Sequence, residues 1–143
     1  MKGFRFLLLV GILALAGCEV GAFFGPHPGQ RYDALPEYAA WWADAERCAG
    51  KRGPLEWIEW RAIGDAATYW YNCFGSYGGE CAAEWAPRHT IYIARGLIHD
   101  QMVVTHEMIH ELLRTPGHPA GPFECWVQLY VEGGSAGRVE GEP

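Results

Sequence analysis

Positive charge is scarce in this chain. Eleven lysines and arginines stand against 17 aspartates and glutamates among 143 residues, a formal net charge of −6. Nucleic-acid binding draws on a basic stripe, so the acidic balance argues against that class of partner. Long hydrophobic runs are missing too. The longest, Phe6 to Ala16, falls short of the roughly 20 apolar residues that cross a bilayer core as a helix. No internal repeat recurs along the chain, as a repeat architecture would require. No two cysteines have the C-x₂₋₄-C spacing of a zinc knuckle, which argues against a four-cysteine metal site.

The N-terminus, MKGFRFLLLVGILALAGC, has a cationic start (Lys2, Arg5), a short apolar run and small residues before Cys18. That order is a secretory signal. Leu15-Ala16-Gly17-Cys18 resembles the bacterial lipobox, which implies a signal peptide over 1–17 and a lipid on Cys18 that anchors the mature chain to the membrane. The resemblance, with Glu19 rather than aspartate after the cysteine, implies the outer membrane or periplasmic face of a bacterial envelope. Losing residues 1–17 removes two positive charges and leaves 126 residues at a net charge of −8. Residues 18–35 are rich in Gly and Pro without helical or strand period and read as a flexible tether. One domain over 36–132 follows, then a flexible tail over 133–143.

Four cysteines remain after Cys18, an even number in a small exported domain, and therefore two disulfides. CFGSYGGEC contains glycines that let the chain double back, so Cys73 pairs with Cys81 and Cys48 with Cys125. The second bridge closes a long loop and is worth roughly 4 kcal/mol on the chain-entropy argument.

Residues 36–50 read as a helix begun by Pro36 and stopped by Gly50. Residues 53–64 contain a strand alternating Ile58, Trp60 and Ala62 with Glu59 and Arg61. The aromatic stretch 68–77 favours strand and leads into the glycine-rich turn. Residues 88–94 alternate Ile91 and Ile93 with Thr90 and Tyr92 as a short strand. Asp100 is a good N-cap for a helix over 101–114, ended by Thr115-Pro116. Residues 122–131 suit either a short helix or a strand. The class is α+β with a small antiparallel or mixed sheet.

Chemistry concentrates in VVTHEMIHELLRTPGH (103–118). Residues four apart on a helix sit one turn along and about 40° round, so His106 and His110 present their rings on one face. Zinc suits such donors, and His118, carried back by the Pro116 stop and a turn at Gly117, is the candidate third ligand. Three protein ligands leave a position for water, and Glu107 beside His106 is placed to act as general base. Apolar flanks bury this helix, and burying two histidines and a glutamate without purpose is costly. His89 and His99 read as strand and loop residues, and His27 lies in the tether.

H-E-M-I-H with these flanks resembles the active-site helix of the zincin metallopeptidases. The resemblance implies a zincin-like fold, Zn²⁺ on His106, His110 and His118, Glu107 as base, and peptide or protein substrates. It also implies that the strand before the helix, HTIYIA, is the sheet edge along which an extended peptide lies. From Trp85 to Cys125 the chain is similar to small bacterial lipoproteins whose metallopeptidase activity is itself inferred. Departures are visible. His118 does not follow the metzincin spacing H-E-x-x-H-x-x-G-x-x-H, no methionine-turn motif follows it, and Glu111 stands where zincins usually carry an uncharged residue. Tyr92 and Tyr130 are candidates for polarising a substrate carbonyl. The alternative function is an inactive zinc-binding envelope lipoprotein that holds a peptide or protein partner.

Overall fold

A computed structural model describes residues 28–75 and 78–136 of the chain. The signal segment, Cys18, His27 and residues 137–143 lie outside the described residues. Among the described residues there are three α-helices and six strands: β1 (Gln30–Tyr32), α1 (Tyr38–Ala49), β2 (Glu59–Ile63), β3 (Tyr71–Asn72), β4 (Glu80–Cys81), β5 (Ala83–Ala86), β6 (Thr90–Ala94), α2 (Gln101–Leu113) and α3 (Ala120–Ala136). The class is α+β, as the sequence suggests.

Four strands form a mixed sheet in the order β1-β2-β6-β5, with β2 parallel to β6 and both outer pairs antiparallel; β3 and β4 form a separate two-stranded ribbon. Alternation divides the sheet into two faces. Trp60, Ile91 and Ile93 point to one face, where Tyr38, Trp42 and Ala45 of α1, Val104, Met108, Ile109 and Leu112 of α2, and Trp126 of α3 complete the main core. Tyr92 and Ala94 point to the other face and meet Tyr71 of the ribbon in a smaller cluster.

The ribbon explains one correction. Strand β6, expected at the sheet edge, is interior, and all five of its residues are buried. Its polar alternates Thr90 and Tyr92 suggest a solvated face, but the ribbon covers that face and β5 takes the edge. The expected tether is also shorter than residues 18–35. Gln30–Tyr32 pairs with Trp60–Ala62 of β2, because the Tyr32 ring packs 6.4 Å from Tyr38 and 6.3 Å from Trp60. The ambiguous segment 122–131 is helical: Phe123, Trp126 and Leu129 recur at helical spacing toward the core. This helix also runs into the expected tail, ending at Ala136.

Gly50 stops α1 in the left-handed conformation (φ 63°). Both expected disulfides are formed. Cys48–Cys125 ties α1 to α3 with Cα atoms 5.5 Å apart, and Cys73–Cys81 closes the ribbon loop with Cα atoms 5.3 Å apart. Such bridges belong to an oxidising, extracytoplasmic compartment. Among the described residues no helix is long and apolar enough to cross a membrane.

Candidate metal centre

Asp100 sets the start of α2, its Oδ1 accepting the Val103 N–H at 3.1 Å. With Val104, Met108, Ile109 and Leu112 committed to the core, the helix has one rotation available. That rotation brings His106 and His110 to the border of the core, with their Nε2 atoms 3.2 Å apart.

His118 comes from the link between α2 and α3. The reversal is made at Arg114, which caps α2 in the left-handed region (φ 57°) while its N–H donates to His110 O at 2.8 Å. The expected hinge, Gly117, keeps a negative φ, and its N–H is held by Thr115 Oγ1 at 3.2 Å. Beyond His118 the chain enters α3, fixed through Cys125 to α1. The result sets His118 Nε2 3.0 Å from His106 Nε2 and 3.2 Å from His110 Nε2. Around a tetrahedral ion with N donors at about 2.0–2.1 Å, neighbouring donors stand about 3.3 Å apart. The three nitrogens therefore span one face of such a tetrahedron, close enough to hold a metal ion.

The donor chemistry fits as well. His110 Nδ1 lies 2.8 Å from the Thr115 carbonyl oxygen; a carbonyl only accepts, so the proton is on Nδ1 and the Nε2 lone pair faces the other rings. Burial, reinforced by the neighbouring His110 and His118, pushes the His106 pKa down to about 4. Burial lowers that of His110 too. Both rings are neutral at neutral pH, the form a metal requires. Behind them lies Phe123, with ring centroids 4.8, 4.9 and 4.8 Å from His106, His110 and His118. Phe123 packs with the core and gives the triad a shared apolar floor.

The triad borders a cleft of about 950 Å³ whose other wall is β5 and the ribbon loop. Glu107 lines this cleft yet is only 7% exposed. Burial raises its carboxyl pKa from 4.5 to about 8, partly offset by the Trp85 backbone N–H that faces it, while the Glu84 charge adds to the rise.

Why that N–H is free for Glu107 follows from the ladder. Ala94 N–H donates to Ala82 O at 2.8 Å, so Glu84–Tyr92 and Ala86–Thr90 are the hydrogen-bonded pairs of β5 and β6. Ala83 and Trp85 therefore turn their N–H and C=O groups to the open edge. The Trp85 indole N–H reaches the same helix one turn further on, donating to Glu111 Oε2 at 2.6 Å. Glu111 is buried, and its Oε1 accepts from Arg114 Nη1 and His89 Nδ1, each at 2.6 Å. One tryptophan thus fastens the edge strand to two glutamates of α2.

The remaining candidates fall as follows. Tyr92 is buried and lines the cleft from the ribbon side, its ring 4.9 Å from Phe74. Tyr130 lies on the exposed side of α3 against Trp126 (5.8 Å) and is not part of the cleft lining. His89 sits in the β5–β6 turn on Glu111, and His99 pairs with Glu37 at 2.7 Å; neither joins the triad. Phe123 and Trp85 were not singled out by sequence. Phe123, three before Trp126, was findable once 122–131 was read as helix. Trp85 had no local signal, since its role depends on strand register. No protein-family model matches the chain, and no curated protein or solved structure is significantly similar to it.

Proposed function

We propose that this protein is a zinc-dependent peptidase of the cell envelope, exported and anchored by a lipid on Cys18. The observation that carries it is the convergence of His106, His110 and His118, with Nε2 atoms 3.0–3.2 Å apart, beside a buried carboxylate and an open strand edge. Three imidazole donors favour zinc among the common divalent ions of an oxidising compartment, and three protein ligands are the number found in catalytic rather than structural sites.

Bound zinc supplies Lewis-acid chemistry, polarising a carbonyl and acidifying water. The chain's own residues do the rest. Glu107, protonated at neutral pH in the metal-free protein, would be ionised by the positive charge of an ion on the triad. It then takes a proton from water and returns it to the leaving amine, as general base and then general acid. Trp85 N–H holds its carboxylate at the mouth of the strand edge. An extended peptide pairs with the outward N–H and C=O of Ala83 and the C=O of Trp85, an added strand beside β5. The shallow burial of the His118 side of the triad gives the scissile bond access from the cleft.

Purified full-length protein is expected to carry about one zinc per chain and to cleave members of a mixed peptide library, with Glu107→Gln retaining the zinc and losing the cleavage. A chain that binds no zinc at neutral pH sinks this proposal. A zinc-loaded chain that leaves the library intact but binds its peptides indicates the inactive, partner-holding lipoprotein instead.

A further inference from the structure

Resting on the peptidase reading, one residue of the cleft carries the argument to substrate class. Arg114 lines the same cleft as the histidine triad and is the sole arginine or lysine among the described residues that do so. Its position is fixed from three directions. The backbone takes the left-handed conformation (φ 57°), which side-chain-bearing residues adopt sparingly. Nη1 is tied to the buried carboxylate of Glu111 at 2.6 Å. The guanidinium carbon lies 5.7 Å from the Trp85 ring centroid, within the range of a cation–π contact.

Those contacts use one nitrogen. Nε and Nη2 have no hydrogen-bond partner among the described residues, and the side chain is 44% exposed. A guanidinium presents donors in a rigid planar fork, and Nε with Nη2 forms the edge that receives a carboxylate through two parallel bonds. Glu111 cannot close that edge: it is 6% exposed and its oxygens are already engaged by Trp85, His89 and Arg114. Besides Glu107, the acidic residues lining the cleft are Glu80 of the ribbon and Glu84 on the far face of β5, which accepts the Phe74 N–H at 2.8 Å. A peptide beside β5 therefore meets an oriented cation on the α2 side and carboxylates on the ribbon side.

We propose that Arg114 is a specificity-determining residue that pairs with a carboxylate of the substrate, either the free C-terminus or an acidic side chain near the scissile bond. Glu111 is the positioning residue that aims it.

The test uses zinc-loaded full-length protein carrying Glu107→Gln, so that no peptide is consumed, and acetylated hexapeptides of one neutral sequence. One form is amidated, one is the free acid, and one set is amidated with glutamate at each position in turn. Calorimetry is expected to give one of the carboxylate-bearing forms at least about tenfold tighter binding than the neutral amide. That advantage collapses on adding Arg114→Ala, and also on adding Arg114→Lys, which keeps the charge but not the fork. An advantage confined to the free acid identifies the C-terminus as the source; one confined to a glutamate position identifies the side chain. Equal affinity for all forms, no binding of any form, or an advantage that survives both substitutions overturns the inference. Zinc content is read on the same samples: failure to load zinc overturns the peptidase reading itself, whereas a loaded protein without carboxylate preference overturns the role of Arg114 alone.

Discussion

At the scale of single residues, the site is a contest between burial and charge. His118 closes the triad from an exposed link, so His118→Ala keeps the fold and removes one donor. Metal affinity is expected to fall by more than about 100-fold, beyond the 10–100-fold typical of losing a supporting partner, measured by competition with a chelating dye. Glu107 gives the clearest dependence on pH. Its folded pKa, about 8, stands above the ordinary 4.5, so the folded metal-free protein binds the extra proton between these values. The stability this confers is full below pH 4.5 and is lost as pH rises through about 8. His106 has the opposite sign: depressed from 6.5 to about 4, it contributes stability above pH 6.5 that is lost as pH falls through about 4. In metal-free protein Glu107→Gln is therefore expected to abolish the decline between pH 6.5 and 8, with a gain on the order of 2 kcal/mol at pH 8. Urea melts at pH 5, 6.5 and 8 decide it; parallel losses in variant and wild type would contradict a buried neutral Glu107. The pair His106 and Glu107 was legible from spacing on one helix. Phe123 was not, because nothing in a run of five residues tells a chain which ring will lie behind three others.

At the scale of elements, the arrangement depends on how α2 and β5 are fastened together. Trp85 spans Glu107 and Glu111, one helical turn apart, with its backbone and indole N–H groups. Glu111→Ala leaves a buried indole N–H and a guanidinium without their acceptor, and is expected to cost about 2–4 kcal/mol. Trp85→Phe removes the indole donor and trims the ring while keeping an aromatic contact, and is expected to cost about half of that. Because both loosen the edge strand, each should also increase hydrogen exchange at Glu84 and Ala86, whose N–H groups face β6, above that at Ile91 and Ile93; uniform exchange across the sheet would contradict the latch. Glu111 looked from sequence like a departure from the zincin pattern, and its packing supplies the reason for it. Strand β6 shows the limit of periodicity. Alternation separates two faces, but it does not reveal that a ribbon covers the second, nor that β5 rather than β6 forms the edge.

At the scale of the whole molecule, the link carrying His118 is stretched between two anchored helices. Removing the Cys48–Cys125 bridge by a double Cys→Ala substitution is expected to destabilise the domain by roughly 4 kcal/mol, given its separation of 77 residues. Because α3 carries Phe123, metal affinity should fall in the same variant, whereas Cys73→Ala with Cys81→Ala should change the cleft wall and leave zinc affinity within about threefold. On the proposed reading, zinc at 100 times its Kd is expected to add about 2.7 kcal/mol by mass action, which for a domain of this size raises Tm by about 10 °C or more. Scanning calorimetry with and without a chelator measures it.

By itself the sequence determined the local chemistry. The four-residue spacing of His106 and His110, the Asp100 cap, the alternation of Ile91 and Ile93, and an even set of cysteines in a small domain are all consequences of helix and strand geometry or of composition. Tertiary structure decided what depends on contacts far apart along the chain. These include the left-handed turn at Arg114 that delivers His118, the floor at Phe123, the β5 edge beside Glu107, and the Glu111 carboxylate that orients Arg114. The physical reason is range: hydrogen bonding and side-chain period act over three or four residues, whereas register, burial and desolvation are set by partners tens of residues away.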